Sequence, residues 1–350
     1  MRFRKLVVCM DKKKYVKELQ DLLIQKGEDN KDILAAVKYA ENLIALDLPV
    51  IFDLYHLAAL VGVEAPELAH ILTYLEEVYY KKAEIAKKSG GTRELLIPAM
   101  RVRLIQKWVL HNILYKIPVS DYAMGFRKKR SIVTNANLHV GKPCVVNMDL
   151  KDFFPSITQQ QVFRIFYYYG YTTEVSYMLS RLCTYEGRVP QGAPTSPCLS
   201  NIVCLKLDKR LSALAEKYQA IYTRYADDIT FSGSQGLKEI VALVTDIVQD
   251  EGFAVNERKT RVQLSYQRQE VTGINVSGGK ITVGKEYKKR IFQEIYYCKK
   301  YGPTNHLMHI GCTKRFYKEH MYGKAYYVHM VEPEVGEEII KQLDEIDWGL

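Results

Sequence analysis

The chain has 350 residues, with 50 Lys and Arg against 40 Asp and Glu, which gives a formal net charge of +10. Its hydrophobic fraction of 47% is too high for a disordered chain, and 21 Gly and 11 Pro are too few for a collagen-like or low-complexity chain. Seven scattered Cys argue against a disulfide framework, and no apolar run is long enough for a membrane span or a signal peptide. We therefore expect a globular protein of the cytoplasm, whose basic charge and 26 Tyr suit nucleic acid.

The first ninety residues have the periodicity of helices. Apolar side chains recur every three or four positions through Tyr15–Leu23 and Ile33–Ile44, and the pattern predicts a third helix over Pro66–Lys82. Ser89-Gly-Gly-Thr92 interrupts this periodicity and predicts the tip of a β-hairpin. A further helix is predicted after Pro98.

The next segment predicts a strand that ends near an acid. Pro143–Leu150 is a short, mostly apolar run, and a buried strand carrying Asp149 as one functional carboxylate would have this sequence. Two helices are predicted near Gln160–Tyr169 and Glu174–Tyr185. Ser196-Pro197 suits the N-cap and first position of another helix.

Two hairpins are predicted in the second half. Ile221–Ser232 is rich in Tyr, Thr, Ile and Phe, with Asp227-Asp228 in the middle, so we predict a hairpin with an acidic turn. This hairpin could pair beside the strand that ends near Asp149. The second hairpin covers residues 270–283, with its turn at Gly278-Gly279.

Three carboxylates on adjacent strand ends would suit hard divalent cations, because oxygen ligands suit Mg²⁺ and crowded like charges need a cation to stay ionised. Two such ions about 3.5–4 Å apart can clamp the attacking and leaving oxygens of an in-line phosphoryl displacement. Spacing alone leaves other interpretations open. An Asp-Asp pair is commonly a solvated turn, and a single Asp after a strand commonly caps a helix.

Three motifs decide between these interpretations. Asn147–Ile157, Pro190–Asn201 and Tyr225–Asp228 occur in this order, and the arrangement resembles reverse transcriptases. The resemblance covers nearly the whole chain. Within that family the chain is most similar to the bacterial retron enzymes, which carry an Asn-Ala-x-x-His element, here Asn135–His139, and a Val-Thr-Gly element, here Val271–Gly273.

The resemblance implies an α+β right-hand polymerase fold. Residues 1–90 would form a helical N-terminal region and residues 91–140 the fingers. The palm, an antiparallel sheet with helices, would take residues 141–284, with fingers-type helices near 158–188. Residues 285–350 would form an α-helical thumb and an acidic C-terminal tail.

The resemblance also implies a two-metal site. Asp149, Asp227 and Asp228 would bind two Mg²⁺ ions, with Mn²⁺ as an alternative, and the Leu150 carbonyl would be an extra ligand. Lys259 matches the lysine thought to protonate the departing pyrophosphate, although a solvated surface lysine would look the same in the sequence.

The incoming deoxynucleotide would be held by a second group of residues. Phe154 matches the bulky position that blocks a ribose 2′-OH, and the backbone N–H groups of Asp152 and Phe153 match positions that reach the triphosphate. Gln191 and Gly192 match the loop against the nucleotide, where Gly permits close backbone approach. The fingers cations that would grip the β- and γ-phosphates are Arg93, Lys87 and Lys88.

A third group is implied to contact RNA. The retron-specific residues are Asn135, Ala136, His139, Val271, Thr272 and Gly273. Residues 285–330 add ten Lys and Arg against three Glu, a local charge of +7, with eight Tyr interleaved. The basic candidates there are Lys288, Lys289, Arg290, Lys299, Lys300, Lys314 and Arg315. Residues 331–350 carry a local −6 and would contact a partner or pack on the thumb.

The implied activity is RNA-templated DNA synthesis from deoxynucleoside triphosphates. The primer would be a guanosine 2′-OH of a structured noncoding RNA, the product a branched RNA-DNA molecule (msDNA), and the system would serve phage defence with a separate effector protein. Two alternatives remain. Another bacterial reverse transcriptase lineage, of group II intron or abortive-infection type, would lack Asn135–His139 and Val271–Gly273. A non-catalytic RNA-binding scaffold would usually have lost one of the three aspartates.

One competing metal site lies in the thumb. Its ligand types would suit zinc, although the spacing lacks a paired Cys knuckle. The four residues concerned are Cys298, His306, His309 and Cys312.

Overall fold

The computed structural model describes residues 12–86, 92–311 and 315–349, with the backbone alone for Arg93 and Gln235. Packing divides the chain into two compact units. Unit 1 comprises Met1–Ser120, Asp152–Leu207 and Glu251–Phe253, and unit 2 comprises Asp121–Lys151, Asp208–Asp250 and Ala254–Leu350. The four-part division into fingers, palm and thumb stays a prediction.

Helices and strands alternate irregularly along the described residues. The strands are β1 (Tyr80–Ala86), β2 (Thr92–Pro98), β3 (Cys144–Asp149), β4 (Ile221–Tyr225), β5 (Asp228–Gly233), β6 (Arg261–Leu264), β7 (Glu270–Val271) and β8 (Ile274–Asn275). The helices are α1 (Lys12–Gln25), α2 (Asn30–Ala45), α3 (Leu54–Val61), α4 (Ala65–Thr73), α5 (Leu75–Tyr79), α6 (Met100–Asn112), α7 (Ile132–Asn137), α8 (Phe153–Ser156), α9 (Gln159–Tyr168), α10 (Thr173–Leu182), α11 (Ser196–Val203), α12 (Leu205–Lys217), α13 (Ile240–Asp250), α14 (Lys285–Tyr301), α15 (Pro303–His309), α16 (Tyr317–Val331) and α17 (Pro333–Asp344).

Unit 1 packs helices beside one antiparallel hairpin, β1–β2, which is paired from Tyr80↔Pro98 to Ala86↔Thr92. The hairpin around Ser89–Thr92 is therefore confirmed in its strands, while residues 87–91 lie outside the described part. The single helix predicted over Pro66–Lys82 is wrong. The helix breaks at Tyr74, whose backbone leaves the helical region, and Tyr80 already pairs in β1, so cross-strand pairing overrides the helical periodicity.

The helices predicted in the middle of the chain are present, with ends shifted by one to three residues. Capping explains where α9 and α10 begin. Thr158 and Gln161 form a capping box at α9, and the Thr172 hydroxyl accepts from the Val175 N–H at α10. For α11 the predicted N-cap is wrong by one residue, because Thr195 takes that position and Ser196 is already helical.

Unit 2 contains a four-stranded sheet in the order β4-β5-β3-β6, in which every pair of neighbours is antiparallel. Strand β3 occupies an inner position, and five of its six residues, all but Asn147, are buried. This explains its continuous apolar sequence. The predicted strand before Leu150 and the predicted hairpin with the Asp227-Asp228 turn are both confirmed.

The second predicted hairpin has an additional turn. β7 and β8 pair as Val271↔Ile274, so the chain first reverses at Thr272-Gly273. Asn275 then pairs with Thr282 around the predicted Gly278-Gly279 turn. Thr272 and Gly273 have φ of 48° and 80°, as type I′ hairpin turns require, although a β-branched residue is rarely found there.

The C-terminal helices of unit 2 share one hydrophobic core with β7, β8 and α7. Ile291, Met321, Val328 and Ile339 are buried in it. α16 packs closely against α17. In the described residues, no helix is both long and apolar enough to cross a membrane.

Candidate active site

The sheet of unit 2 brings the predicted carboxylates to one edge. Asp149 ends β3 and lies directly opposite Asp228, the first residue of β5. Residues paired in this way have Cα atoms about 4.5–5.5 Å apart. Asp227 lies in the two-residue turn between β4 and β5, and its carbonyl accepts a hydrogen bond of 2.9 Å from the Leu150 N–H. Asp149, Leu150, Asp227 and Asp228 are therefore neighbours, as the sequence predicted.

Asp149 is almost buried, and both of its carboxylate oxygens have partners. Lys259 Nζ lies 2.8 Å from Oδ1, and Asn256 Nδ2 donates to Oδ2 over 3.2 Å. The Asn256 N–H also donates to the Asp149 carbonyl over 2.7 Å. The motif predicts a role for Lys259 but not for Asn256, whose only signal in the sequence is its place three residues before Lys259, at the start of a 3₁₀ turn.

Asp228 is electrostatically perturbed at this edge. Its pKa is raised to about 6, first by desolvation and then by the negative charges of Asp227 and Asp149. The residue as a whole is exposed, so solvent still reaches it, and the neighbouring carboxylates of Asp227 and Asp149 oppose its ionisation.

An arrangement of this kind fits a hard divalent cation, because the donors are carboxylate oxygens whose mutual repulsion a cation would relieve. The three carboxylates do not already form a metal coordination shell. In the described ranges no group of three or more His, Cys, Asp or Glu is placed to hold a metal ion. At this edge the ammonium of Lys259 is the cation beside Asp149.

The candidates for the nucleotide belong to unit 1. The Gln191 carbonyl accepts from the Leu96 N–H of β2 over 2.9 Å. Gly192 has φ of 133°, and a Cβ there would lie 2.6 Å from the Leu96 oxygen. The Gly192 backbone thus approaches β2 closely, while its predicted approach to a nucleotide stays a prediction. Phe153 is buried against Phe253, with ring centroids 5.8 Å apart.

Two of the remaining nucleotide candidates lie at the start of α8 and one lies on β2. Phe154 is half-buried, and Asp152 adopts a left-handed φ of 46° just before α8. Arg93 pairs with Ile85 between β1 and β2, and Lys87 and Lys88 lie outside the described residues.

The retron-specific residues lie in and beside α7, β7 and β8, which pack together. Ala136 and Val271 are buried in the core, and Gly273 is exposed. The Asn135 side chain is fully buried, and neither its Oδ1 nor its Nδ2 has a hydrogen-bond partner among the described residues. The buried Thr272 hydroxyl likewise has none there. Buried polar groups without partners are rare, so both side chains are candidates for contact with a ligand or ordered water.

His139 differs from its neighbours in the motif. It is fully buried, with Nδ1 2.7 Å from Ser232 Oγ and Nε2 2.8 Å from Thr223 Oγ1. Both ring nitrogens are used inside the protein, so the placement favours a structural role over the predicted contact with RNA.

Some basic residues of the segment 285–330 are paired with acids. Lys288 and Lys299 bind Glu332 and Glu345 over 2.8 and 2.6 Å. The acidic tail therefore packs on this segment at these points. Lys300 lies over the rings of Tyr296 and Tyr301. Exposed cations are found at Lys289, Arg290 and Arg315, while Lys314 lies outside the described residues.

The alternative zinc site gains no support from the described residues. His306 Nε2 lies 2.7 Å from Glu294, Cys298 is buried, and Cys312 lies outside them.

Comparisons with known proteins agree with the motifs. The family profile described as reverse transcriptase (RNA-dependent DNA polymerase) matches residues 85–278. The chain is 34% identical over 307 residues to Retron Ec86 reverse transcriptase of Escherichia coli, which covers 86% of this chain and 92% of that protein. It is 35% identical over 336 residues to Retron Mx65 reverse transcriptase of Myxococcus xanthus, with 89% and 76% covered. The chain therefore belongs to the retron-type reverse transcriptases, a family of RNA-directed DNA polymerases.

Proposed function

We propose that the chain copies RNA into DNA with two divalent cations, Mg²⁺ or alternatively Mn²⁺, held by Asp149, Asp227 and Asp228. The observation that carries this proposal is the pairing of Asp149 with Asp228 beside Asp227, where desolvation and the two neighbouring carboxylates raise the pKa of Asp228. Such cations polarise the primer hydroxyl and the α-phosphate and stabilise the leaving group. The Leu150 carbonyl is the additional ligand that we expect.

Lys259 is proposed as the general acid for the departing pyrophosphate. Its side chain is 55% exposed, so the long stem can move away from Asp149 at little cost. Lys259 would then neutralise Asp149 before a cation binds and protonate pyrophosphate afterwards. The uncharged Asn256 would keep Asp149 oriented both before and after a cation binds.

Unit 1 would hold the deoxynucleotide. The ring of Phe154 would exclude a ribose 2′-OH, and the amides of Asp152 and Phe153 would reach the triphosphate. The Gln191-Gly192 loop would lie against the nucleotide, and its bond to Leu96 supports a defined loop position. Arg93, Lys87 and Lys88 would bind the β- and γ-phosphates.

The finer proposal concerns the RNA. Membership of the retron type supports priming from a guanosine 2′-OH of a cognate noncoding RNA, a branched RNA-DNA product, and a role in phage defence in the cytoplasm with a separate effector protein. Asn135 and Thr272 hold buried polar groups without a hydrogen-bond partner among the described residues, and we expect the RNA to bind beside them. Exposed Lys289, Arg290 and Arg315 would bind its phosphates.

Primer extension with the RNA encoded beside the gene tests the proposal. Wild type in Mg²⁺ should make DNA that a 2′,5′-debranching enzyme shortens. The double variant Asp227→Asn with Asp228→Asn should make none. Asp246→Asn, an exposed carboxylate on α13, is the matched control and should behave as wild type. Synthesis by the double variant would contradict the metal site, and a linear product would contradict 2′-OH priming.

A further inference from the structure

The turn that carries Asp227 is attached to a buried ion pair. Arg224, in β4, is completely inaccessible to solvent, as is its partner Asp208 in α12. Arg224 Nε donates to Asp208 Oδ1 over 2.7 Å and Nη2 to Oδ2 over 2.8 Å. The Tyr222 hydroxyl donates to the same Oδ1 over 2.7 Å. The carboxylate is therefore fully hydrogen-bonded, which a buried charge requires.

The third nitrogen of the guanidinium points away from Asp208. Nη1 donates to the Ala226 carbonyl over 3.1 Å. Ala226 comes directly before Asp227 and has φ of 58°, in the left-handed region where hairpin turns normally place Gly or Asn. An Ala is strained in this conformation, which persists only when the surroundings fix it. The bond from Arg224 is one such restraint.

The backbone of a neighbouring segment, residues 122–125, restrains the same turn. The Arg224 N–H donates to the Tyr122 carbonyl over 2.9 Å, and the Met124 N–H donates to the Arg224 carbonyl over 2.7 Å. Gly125 follows, and a Cβ on it would lie 2.8 Å from the Ala226 nitrogen. The segment 122–125 thus lies directly against the turn, and only Gly fits at its point of closest approach.

From these contacts we infer that Asp208 and Arg224 are a positioning pair, which sets the backbone of the Ala226-Asp227 turn and thereby the placement of the metal-binding carboxylates. The inference rests on the proposed function, because it takes Asp227 and Asp228 as the metal ligands. Burying an ion pair commonly gives no net stability over apolar residues of similar size. The geometry offers a different reason for this pair, since the planar guanidinium bridges Asp208 and Ala226 at once.

Two variants separate positioning from mere stability. Arg224→Lys keeps a positive charge beside Asp208 but lacks the planar fork that reaches Ala226 as well. Asp208→Leu combined with Arg224→Met replaces the pair by apolar side chains, which a core commonly tolerates. Thermal unfolding of the full chain establishes that each variant is folded.

The decisive measurement is Mn²⁺ binding to the protein without nucleotide, followed by the EPR signal of free Mn²⁺. Folded variants should bind Mn²⁺ about tenfold more weakly, the order expected for loss of one charge-assisted hydrogen bond. The Mg²⁺ concentration for half-maximal DNA synthesis should rise in parallel. The matched control is Glu76→Leu with Arg181→Met, which removes a bidentate ion pair within unit 1 and should leave Mn²⁺ binding unchanged.

Unaltered Mn²⁺ binding in the folded Asp208 and Arg224 variants would overturn the inference. A different result identifies a failure of the proposed function itself. If Asp227→Asn with Asp228→Asn also leaves Mn²⁺ binding unchanged, the ions bind elsewhere, and the inference fails together with the metal site.

Discussion

Lowering the pH should destabilise the protein through His139. The imidazole is fully buried between Thr223 and Ser232. Desolvation lowers its pKa from 6.5 to about 4, and the positive charge of Lys142 acts in the same direction. The folded protein therefore holds His139 neutral at a pH where the unfolded chain is already protonated.

The size of the effect follows from that shift. The stabilising contribution is complete above about pH 6.5 and is lost as the pH falls toward 4, because the unfolded chain binds the proton first. With about 1.4 kcal/mol for each pKa unit, the free energy of unfolding should fall by about 2 kcal/mol between pH 8 and pH 5 on account of this group. By pH 4 the loss should reach about 3 kcal/mol.

Urea unfolding of wild type and His139→Gln at pH 8, 6.5 and 5 measures this contribution. Gln can still hydrogen-bond both hydroxyls but does not titrate. Asp228 has the opposite sign, since its raised pKa makes the folded state gain stability as the pH falls. Asp228 is present in both proteins, so its contribution cancels in the difference.

Wild type should therefore lose about 2 kcal/mol more than His139→Gln between pH 8 and pH 5. Equal pH dependence in the two proteins would refute the buried, neutral His139. If His139 instead contacted RNA, the variant would bind RNA more weakly at pH 8 while keeping the wild-type pH dependence of stability.

Three further predictions follow from close contacts. Gly192→Ala should raise KM for deoxynucleotides in single-nucleotide incorporation, because its Cβ would lie 2.6 Å from the Leu96 oxygen; an unchanged KM would contradict this. Lys259→Met should slow DNA synthesis. Without nucleotide it should bind Mn²⁺ about two- to fivefold tighter, because the Lys259 ammonium no longer competes with the ion for Asp149. Weaker Mn²⁺ binding would argue against this competition. Gly336→Ala should lower the free energy of unfolding by about 1–3 kcal/mol in urea, because its Cβ would lie 2.1 Å from His329 Cα; wild-type stability would disprove the clash.

The central strand and the acidic hairpin could be predicted because their signals are local. An apolar run ending at Asp149 and a Tyr- and Thr-rich pair of segments around Asp227-Asp228 each specify a strand or turn within a few residues. Antiparallel pairing then brings the carboxylates together. The family resemblance supplied the order of the motifs, which local propensity does not contain.

The partners of buried polar residues could not be predicted, because each lies on a different helix or strand. Asp208 lies in an amphipathic helix, where an acid is normally solvated, but it is buried and bound by Arg224 and Tyr222 of β4. His139 was assigned to RNA on its motif, yet both its partners lie on β4 and β5, more than 80 residues away. Thr272 in a left-handed turn contradicts its own propensity.

The net charge of a segment does not show which of its cations are available to bind RNA. The basic segment 285–330 suggested a surface for RNA, but the structure pairs Lys288 and Lys299 with carboxylates of the acidic tail. Paired cations release few counterions from RNA, so the exposed ones should dominate binding and its salt dependence. At the strand ends that carry Asp149 and Asp228, an acid is paired with a cation in the same way. Lys259 balances the charge of Asp149 in the structure, and under the proposed function a divalent ion would take over that role.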